Sequence, residues 1–358
     1  SHYFLLNMLL NGGVMPGDVT VKPYKDAFQA AAAYNANKDI AAVVTWAPDI
    51  YTLTEKKEYN NNLLVSTGTA NKLIADVWFA RADFGRDHPD IIEGIVRGIF
   101  DAIEELQTDA NKEKVVPMMA AFYNLDNKTA KSMLPDAHWT NYAENRDFFL
   151  VASNPTNFER TYDTSVRLYR SIGVVSSDVT FDKIMDFSMI KKLDGEPKYA
   201  QQKNTYEYNF TPKNAKDVNV ESAVLTKTVT INFFPNSYDV WKKVPGKDGK
   251  EVFYDGNVEY TIEEIAKLAG QFGNAQIVIA GHTDASMKGT ADPGLVKELS
   301  ENRANAVKQA LLKKFPKLPP NQMIATGHGW EQPAKDVPPQ DHARHRRVEV
   351  KVVPLEAQ

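Results

Sequence analysis

Apolar residues recur at helical spacing through much of the first half of the chain, and short unbroken apolar runs separate them. Residues 3–10 read as a buried helix that stops at Asn11-Gly12-Gly13, where the chain needs left-handed backbone. Residues 19–21 follow as a strand and 26–37 as an alanine-rich helix. The run IAAVVT at 40–45 suits a β-branched strand buried on both faces. Pro89 fits a first helical turn, and Ile91, Ile92, Ile95, Ile99 and Ile103 line an apolar stripe that reaches Leu106. Spacing also predicts helices within 114–123, 127–133 and 157–172. Helix and strand in alternation are the grammar of a parallel sheet, so the first 193 residues are expected to be α/β.

From 194 to 221 the periodicity fades into a polar, turn-rich stretch poor in aliphatic residues, where a linker is expected. Beyond it the pattern predicts strand 225–234, helix 261–272, strand 276–280, helix 294–315, strand 324–329 and strand 347–353. Val348-Glu349-Val350-Lys351-Val352 alternates with period two, as a strand with one wet face does. The boundaries are therefore 1–193, 194–221 and 222–358.

Composition narrows the chemistry. With 42 basic and 46 acidic side chains the net charge is −4, which argues against a nucleic-acid partner. No apolar run approaches the roughly 18 residues of a membrane span. The absence of cysteine removes disulfides, thiolate metal sites and cysteine nucleophiles together. His342 and His345 are three apart, but no carboxylate cluster stands at ligand spacing, so no metal and no cofactor is expected. His342, Arg344, His345, Arg346 and Arg347 read as a basic patch. There is no phosphate loop, serine elbow or convincing nucleophile and base pair; Asp136 with His138, or Asp101 with Glu104 and Glu105, are helix-surface charges by default, and an enzyme is not expected. The chain opens at Ser1-His2-Tyr3 without a leader, so a processed or trimmed start is expected.

One ordered constellation stands out in the second half. Ile277-Val278-Ile279-Ala280 runs into Gly281-His282-Thr283-Asp284; then come Leu299-Ser300 with Arg303-Ala304, Gly327-His328-Gly329 and Arg346-Arg347-Val348-Glu349-Val350. In that order they resemble the OmpA-like peptidoglycan-binding domain, an α+β sandwich. A carboxylate at a strand end facing an arginine on the next helix offers one acceptor and one bidentate donor, which suits a zwitterion. The resemblance implies that Asp284 meets the ammonium, and Arg303 the carboxylate, of the diaminopimelate in the peptide stem. Thr283 and Arg346 would support them, and Asn236 and Ser237 would form the rim. The plain alternative makes Asp284 a loop cap and Arg303 a partner of Glu349 or Asp284. The sequence departs from the family at the longer loop 285–293, at Val296 and His345 where asparagine is usual, and in a hairpin-like insertion at 241–255. Each departure removes a polar group, moves the loop framing the cleft or adds a cover beside it.

In the first half, residues 3–10 with Gly13 and Asp18-Val19-Thr20, then Ala41, Val43, Thr45-Trp46-Ala47-Pro48, and later Ile74-Ala75-Asp76-Val77-Trp78-Phe79-Ala80, look like the second lobe of nitrate/sulfonate/taurine-type substrate-binding proteins of ABC transporters. The resemblance implies an anion site at helix N-termini, with Ser1 and His2 at a helix start, Trp46, Pro48 and Asp49 at a strand end, and Asp76 near the hinge. Most of the first lobe's sheet is missing. Core packing is the competing account of Trp46 and Trp78.

The sequence thus predicts a periplasmic-binding-protein-like α/β domain followed by an OmpA-like α+β sandwich domain. The expected function is a non-catalytic cell-envelope binding protein of the Gram-negative periplasm, associated with the cell wall or outer membrane. Its partners would be peptidoglycan and either a small anion or an envelope protein. The competing function is a structural scaffold module of a multi-protein envelope complex with no small ligand.

Overall fold

The computed structural model describes residues 1–55, 59–177, 179–335 and 337–355. The helices are α1 His2–Asn11, α2 Ala27–Ala36, α3 Asp49–Glu55, α4 Ala82–Asp87, α5 Pro89–Glu105, α6 Asp109–Tyr123, α7 Asn127–Met133, α8 Tyr142–Leu150, α9 Phe158–Ser171, α10 Phe181–Ile184, α11 Ser188–Leu193, α12 Pro197–Ala200, α13 Val258–Gln271, α14 Pro293–Lys314 and α15 His342–His345. The strands are β1 Leu225–Val229, β2 Lys243–Pro245, β3 Glu251–Phe253, β4 Ala275–Gly281, β5 Met323–Gly327 and β6 Val348–Pro354. The chain is therefore of mixed helix and strand class.

Short polar side chains start the early helices by accepting from backbone amides left free in the first turn. Asp26 accepts from Gln29 N at 2.8 Å, and Asp126 from Thr129 N at 2.9 Å. Asn141 and Glu144 form a reciprocal capping box on α8. Only the C-terminal part of the α5 stripe is put to use: Phe100 and Ile103, with Ile99 beside them, pack with Tyr142, Leu193 and Tyr199 in a small core, whereas Ile91 and Ile95 are exposed. The turn after α1 has its left-handed residue at Gly13, φ 79°.

The strands expected at 19–21 and 40–45, and the apolar run 74–80, join no sheet: every paired strand among the described residues begins at Leu225 or later. These segments are neither helical nor paired, and Trp78 and Phe79 are 82% and 94% exposed. A strand buried on both faces needs hydrogen-bonding neighbours and cover above and below. Nothing in the described chain supplies them.

The second half meets the expectation closely. Its sheet runs β1-β6-β4-β5, with β4 and β5 parallel and the other pairs antiparallel. Ile277, Ile279, Val348, Val350 and Val352 face α13 and α14 in the main core, together with Ile262, Ile265, Leu268, Phe272, Val307 and Leu311. The insertion at 241–255 contains the β2/β3 hairpin. Gly281 and Gly327 let the sheet approach α14 so closely that a Cβ at either would collide with its backbone around Ser300 and Glu301.

Helix α13 is buried almost all round, because the first half of the chain lies against the side that the sheet does not use. Ala70 and Leu73 join the main core, and Tyr3, Phe4, Met8 and Val65 pack against it. Gly270 and Gly273 sit against Thr156 and Asn71 with no room for a methyl. Glu264 of α13 gathers Lys267 at 3.0 Å, Lys227 at 3.3 Å and Arg167 at 3.8 Å, so one carboxylate joins α9, α13 and β1. Residues 210–222, within the polar stretch, lie along the sheet: Asn321 donates to Phe210 O, the turn Ala215–Asp217 packs on β5, and the turn Val220–Ser222 packs on β6.

Candidate functional site

The β4 strand delivers His282, Thr283 and Asp284 to one end of the sheet, and backbone bonds fix them there. His282 N donates to Arg347 O at 3.0 Å, Thr283 N to Gly329 O at 2.8 Å, and His328 N to Gly281 O at 3.0 Å. Ser300, fully buried on α14, accepts from Gly329 N at 2.9 Å and locks the Gly327-His328-Gly329 turn to the helix.

Asp284 is 7% exposed. Its carboxylate accepts from Ser286 N at 2.8 Å and Arg346 Nη1 at 3.0 Å, with His342 Nδ1 at 3.3 Å. Burial works to raise this carboxyl, but Ser286 and Arg346 outweigh it and hold it below the usual carboxylate range. A carboxylate has about four acceptor positions, and the Ser286 side chain also acts on this one, so an incoming cation would replace a donor already there, the half-exposed His342 being the one most open to exchange.

Arg303 is half-buried on α14. Its guanidinium lies 4.9 Å from the Phe233 ring centroid, and Nε donates to Ser237 O at 3.2 Å. Among the described residues it has no carboxylate within ion-pair distance. Burial and the charge of Arg346 lower the guanidinium from its ordinary value, while Asp284 acts in the opposite sense. Asp284, Arg303 and Arg346 therefore sense one another around one end of the sheet. The ring beneath Arg303 and the carbonyl of Ser237 hold it in place without neutralising it.

Of the expected rim residues, Asn236 takes left-handed backbone, φ 55°, which aims Ser237 O at Arg303. The Thr283 hydroxyl is buried without a partner among the described residues. Arg303 is not the internal partner of Glu349 or Asp284 that the plain alternative supposes: Glu349 is held by Arg347 at 2.6 Å, and Asp284 is paired with Arg346. His345, where the sequence departs from the family, is buried. Its Nδ1 accepts from Ala334 N at 3.1 Å and its Nε2 faces Pro338 O at 3.1 Å, which assigns the proton to Nε2 and ties Ala334 and Pro338 to α15. His342, read from sequence only as part of a basic patch, is a neighbour of Asp284. The spacing of HARHRR carried no sign of that, because α15 turns back toward β4 only in three dimensions.

The candidates in the first half are spread over separate elements. Ser1 and His2 start α1, which packs on α9 and β1, and His2 lies edge-on to Tyr169 at 5.5 Å. Trp46, Pro48 and Asp49 lead into α3, which packs on α2. Asp76 is exposed on the unpaired segment 74–80. Trp46 is 55% exposed and Trp78 82%, so neither is a core residue here. Sequence reading missed a cavity of about 50 Å³ where the two halves meet, lined by the charged Lys72, Asp147, Glu207 and Lys317 together with apolar groups such as Leu318 and Pro319. Lys317 pairs with Asp147 at 3.3 Å, and burial pushes the Lys72 ammonium down.

Residues 255–347 match the OmpA family, and the C-terminal part of the chain is an OmpA-like domain. The OmpA-like domain of FopA1 from Francisella tularensis is 19% identical, covers 37% of this chain and 77% of its own, and has a TM-score of 0.27. The peptidoglycan-associated lipoprotein from Burkholderia pseudomallei is 22% identical, with coverages of 35% and 88% and a TM-score of 0.26. The taurine-binding periplasmic protein of Escherichia coli is 30% identical over 103 residues, which is 28% of this chain. The match spans about a third, 31%, of that curated relative's length.

Proposed function

We propose that the chain is a non-catalytic cell-envelope binding protein whose unit 222–358 grips the peptide stem of peptidoglycan, with 194–221 as the connector and 1–193 as a substrate-binding-protein-like unit. The observation that carries this reading is a carboxylate held in its charged form, Asp284, acting on a guanidinium, Arg303, that has no ion-pair partner among the described residues. A diaminopimelate end group carries one ammonium and one carboxylate. The ammonium takes the place of the half-exposed His342 on Asp284, and the carboxylate takes the open face of Arg303. Arg346, half-exposed, balances the charge of Asp284 before ligand arrives and adjusts when it does. Thr283, Asn236 and Ser237 shape the cleft rather than carry charge.

Several features support placing this work at the cell wall. The OmpA-like domain belongs to a family of envelope proteins, and no helix among the described residues is long and apolar enough to cross a membrane. Calorimetry with a soluble diaminopimelate-containing stem peptide tests the site. Wild type should release heat on binding, and Asp284→Ala and Arg303→Ala should each lose at least about tenfold in affinity, the cost of a charge-assisted contact. Unchanged affinity in both variants would reject the assignment.

A small-anion role for Ser1, His2, Trp46, Pro48, Asp49 and Asp76 is the second part of the reading. It is supported by the partial likeness to a protein named for taurine binding. Titration with taurine, short sulfonates, nitrate and phosphate separates it from the scaffold alternative. Heat from any of them supports a solute site, and silence across the panel supports a docking role for an envelope partner.

A further inference from the structure

The cleft has a buried histidine behind it that the binding geometry does not use. His282 follows β4, and its side chain points to the sheet face opposite α13 and α14, where it shares that face with Arg347, Glu349 and Lys351 of β6. The side chain is 0% exposed. Neither ring nitrogen has a hydrogen-bond partner among the described residues, which is uncommon for a polar group so deep. Its ring stacks on His328 from the end of β5, centroids 5.2 Å apart.

The charges that face it leave little room for another. Arg347 and Lys351 come from β6 and His328 from β5, and Lys297 of α14 and Glu331 of the following loop act on His328 in turn. The carboxylate facing His282 is Glu349, with Oε2 at 3.7 Å from Nε2. Glu349 is already engaged by Arg347 Nε at 2.8 Å and Nη2 at 2.6 Å, with Lys351 at 3.6 Å. A proton on His282 would thus create a buried cation beside two others, with its one counter-charge shared: Arg347 holds Glu349 Oε1, and Oε2, which faces His282, also faces Lys351 at 3.6 Å. To reach water the ring must leave its slot. Its own amide is the obstacle, because it forms the last rung to Arg347 O. Asp284 lies two residues beyond that rung on one side and Arg346 one residue before it on the other.

We propose that His282 is an acid-operated latch on the cleft: protonation opens the final rung between β4 and β6, separates Asp284 from Arg346, and releases the bound stem peptide. The release arm rests on the cleft being the binding site proposed above; the latch does not. Burial and the neighbouring Arg347 push His282 from 6.5 down to about 4, while Glu349 works the other way. The closed end takes up a proton only near the lower value, and the opened end takes one up from the upper value. Opening therefore binds a proton across that window, and acid favours it. Linkage over this interval raises the ratio of opened to closed ends on the order of 100-fold. Asp284 stays ionised over most of the same window, since it is held below its usual range.

The test combines amide hydrogen exchange of the free protein with binding to the stem peptide, both from pH 6.5 to about pH 4. It uses wild type, His282→Asn and His282→Gln. After correction for intrinsic exchange chemistry, the wild-type amide of His282, which forms the rung to Arg347 O, should lose protection by on the order of 100-fold while Ile265 in α13 keeps its own. Wild-type affinity should fall by about tenfold or more, and both variants should hold theirs until Asp284 titrates. Parallel behaviour of wild type and variants, or a wild-type His282 amide whose protection ignores pH, overturns the latch. If both variants fail to fold, the wild-type exchange profile decides alone. Intact acid-dependent exchange with no binding at pH 6.5 would keep the latch and remove the peptide from the cleft.

Discussion

Ile279 and Phe79 both sit in apolar runs with the look of strands, yet Ile279 is fully buried and Phe79 is 94% exposed. The difference lies in what surrounds each run. Ile279 pairs with Val350 on one side and Ala325 on the other, and helices cover one face. The run around Phe79 has no strand beside it among the described residues. A hydrophobic pattern states what a segment could bury, and the rest of the chain decides whether it does. The OmpA-like unit contains its own partners; the first half is a set of helices that leans on the outer side of α13 and leaves its apolar runs unpaired.

The comparison is sharpest where core residues are removed. Phe272, fully buried at the end of α13, touches the core that both halves share, and Phe272→Ala should cost about 3–5 kcal/mol in denaturant unfolding. Gly281→Ala forces a methyl into the backbone of α14 and should cost about 1–3 kcal/mol. The matching change in the first half has the opposite sign. Gly94 on α5 has open space around its Cβ position, so Gly94→Ala should stabilise by up to about 1 kcal/mol. Trp78→Ala should stay within about 0.5 kcal/mol. A large loss at Trp78 would break the contrast and show that segment 74–80 is packed in solution.

Acid should also weaken the contact where the halves meet. Burial works to raise the Glu264 carboxyl, but Lys227 and Lys267 outweigh it and leave it below the ordinary value of 4.5. The sign follows: its stabilising contribution is present above 4.5 and is lost as pH falls through the lowered value. Glu264→Gln should remove that part of the acid sensitivity, read as a flatter plot of melting temperature against pH. An unchanged slope would mean the three cations do not hold the carboxylate in solution.

Much of the OmpA-like unit was legible because its signals are local. The alternation in 348–352 marks β6, and the helices 258–271 and 293–314 fall within a few residues of the expected spans. In the first half the helices α1, α2, α5, α6, α7 and α9 were readable, since caps such as Asp126 lie beside the residues they cap, while α3, α4, α8 and α10 to α12 were not. What could not be read depends on register between distant segments. That Arg346 is the ion-pair partner of Asp284 follows from β6 lying beside β4, and that His345 is a buried staple follows from Ala334 and Pro338 lying against it. The residues around 210–222 looked like a tether because their composition is polar, and composition does not reveal that they pack along the sheet.

The central claim is that Asp284 and Arg303 together capture the cell wall. Co-sedimentation of the purified chain with isolated peptidoglycan sacculi at neutral pH tests it most directly. The account predicts that wild type pellets, that Asp284→Ala and Arg303→Ala remain in the supernatant, and that Trp78→Ala pellets like wild type. Pelleting of both cleft variants to the wild-type extent would contradict it.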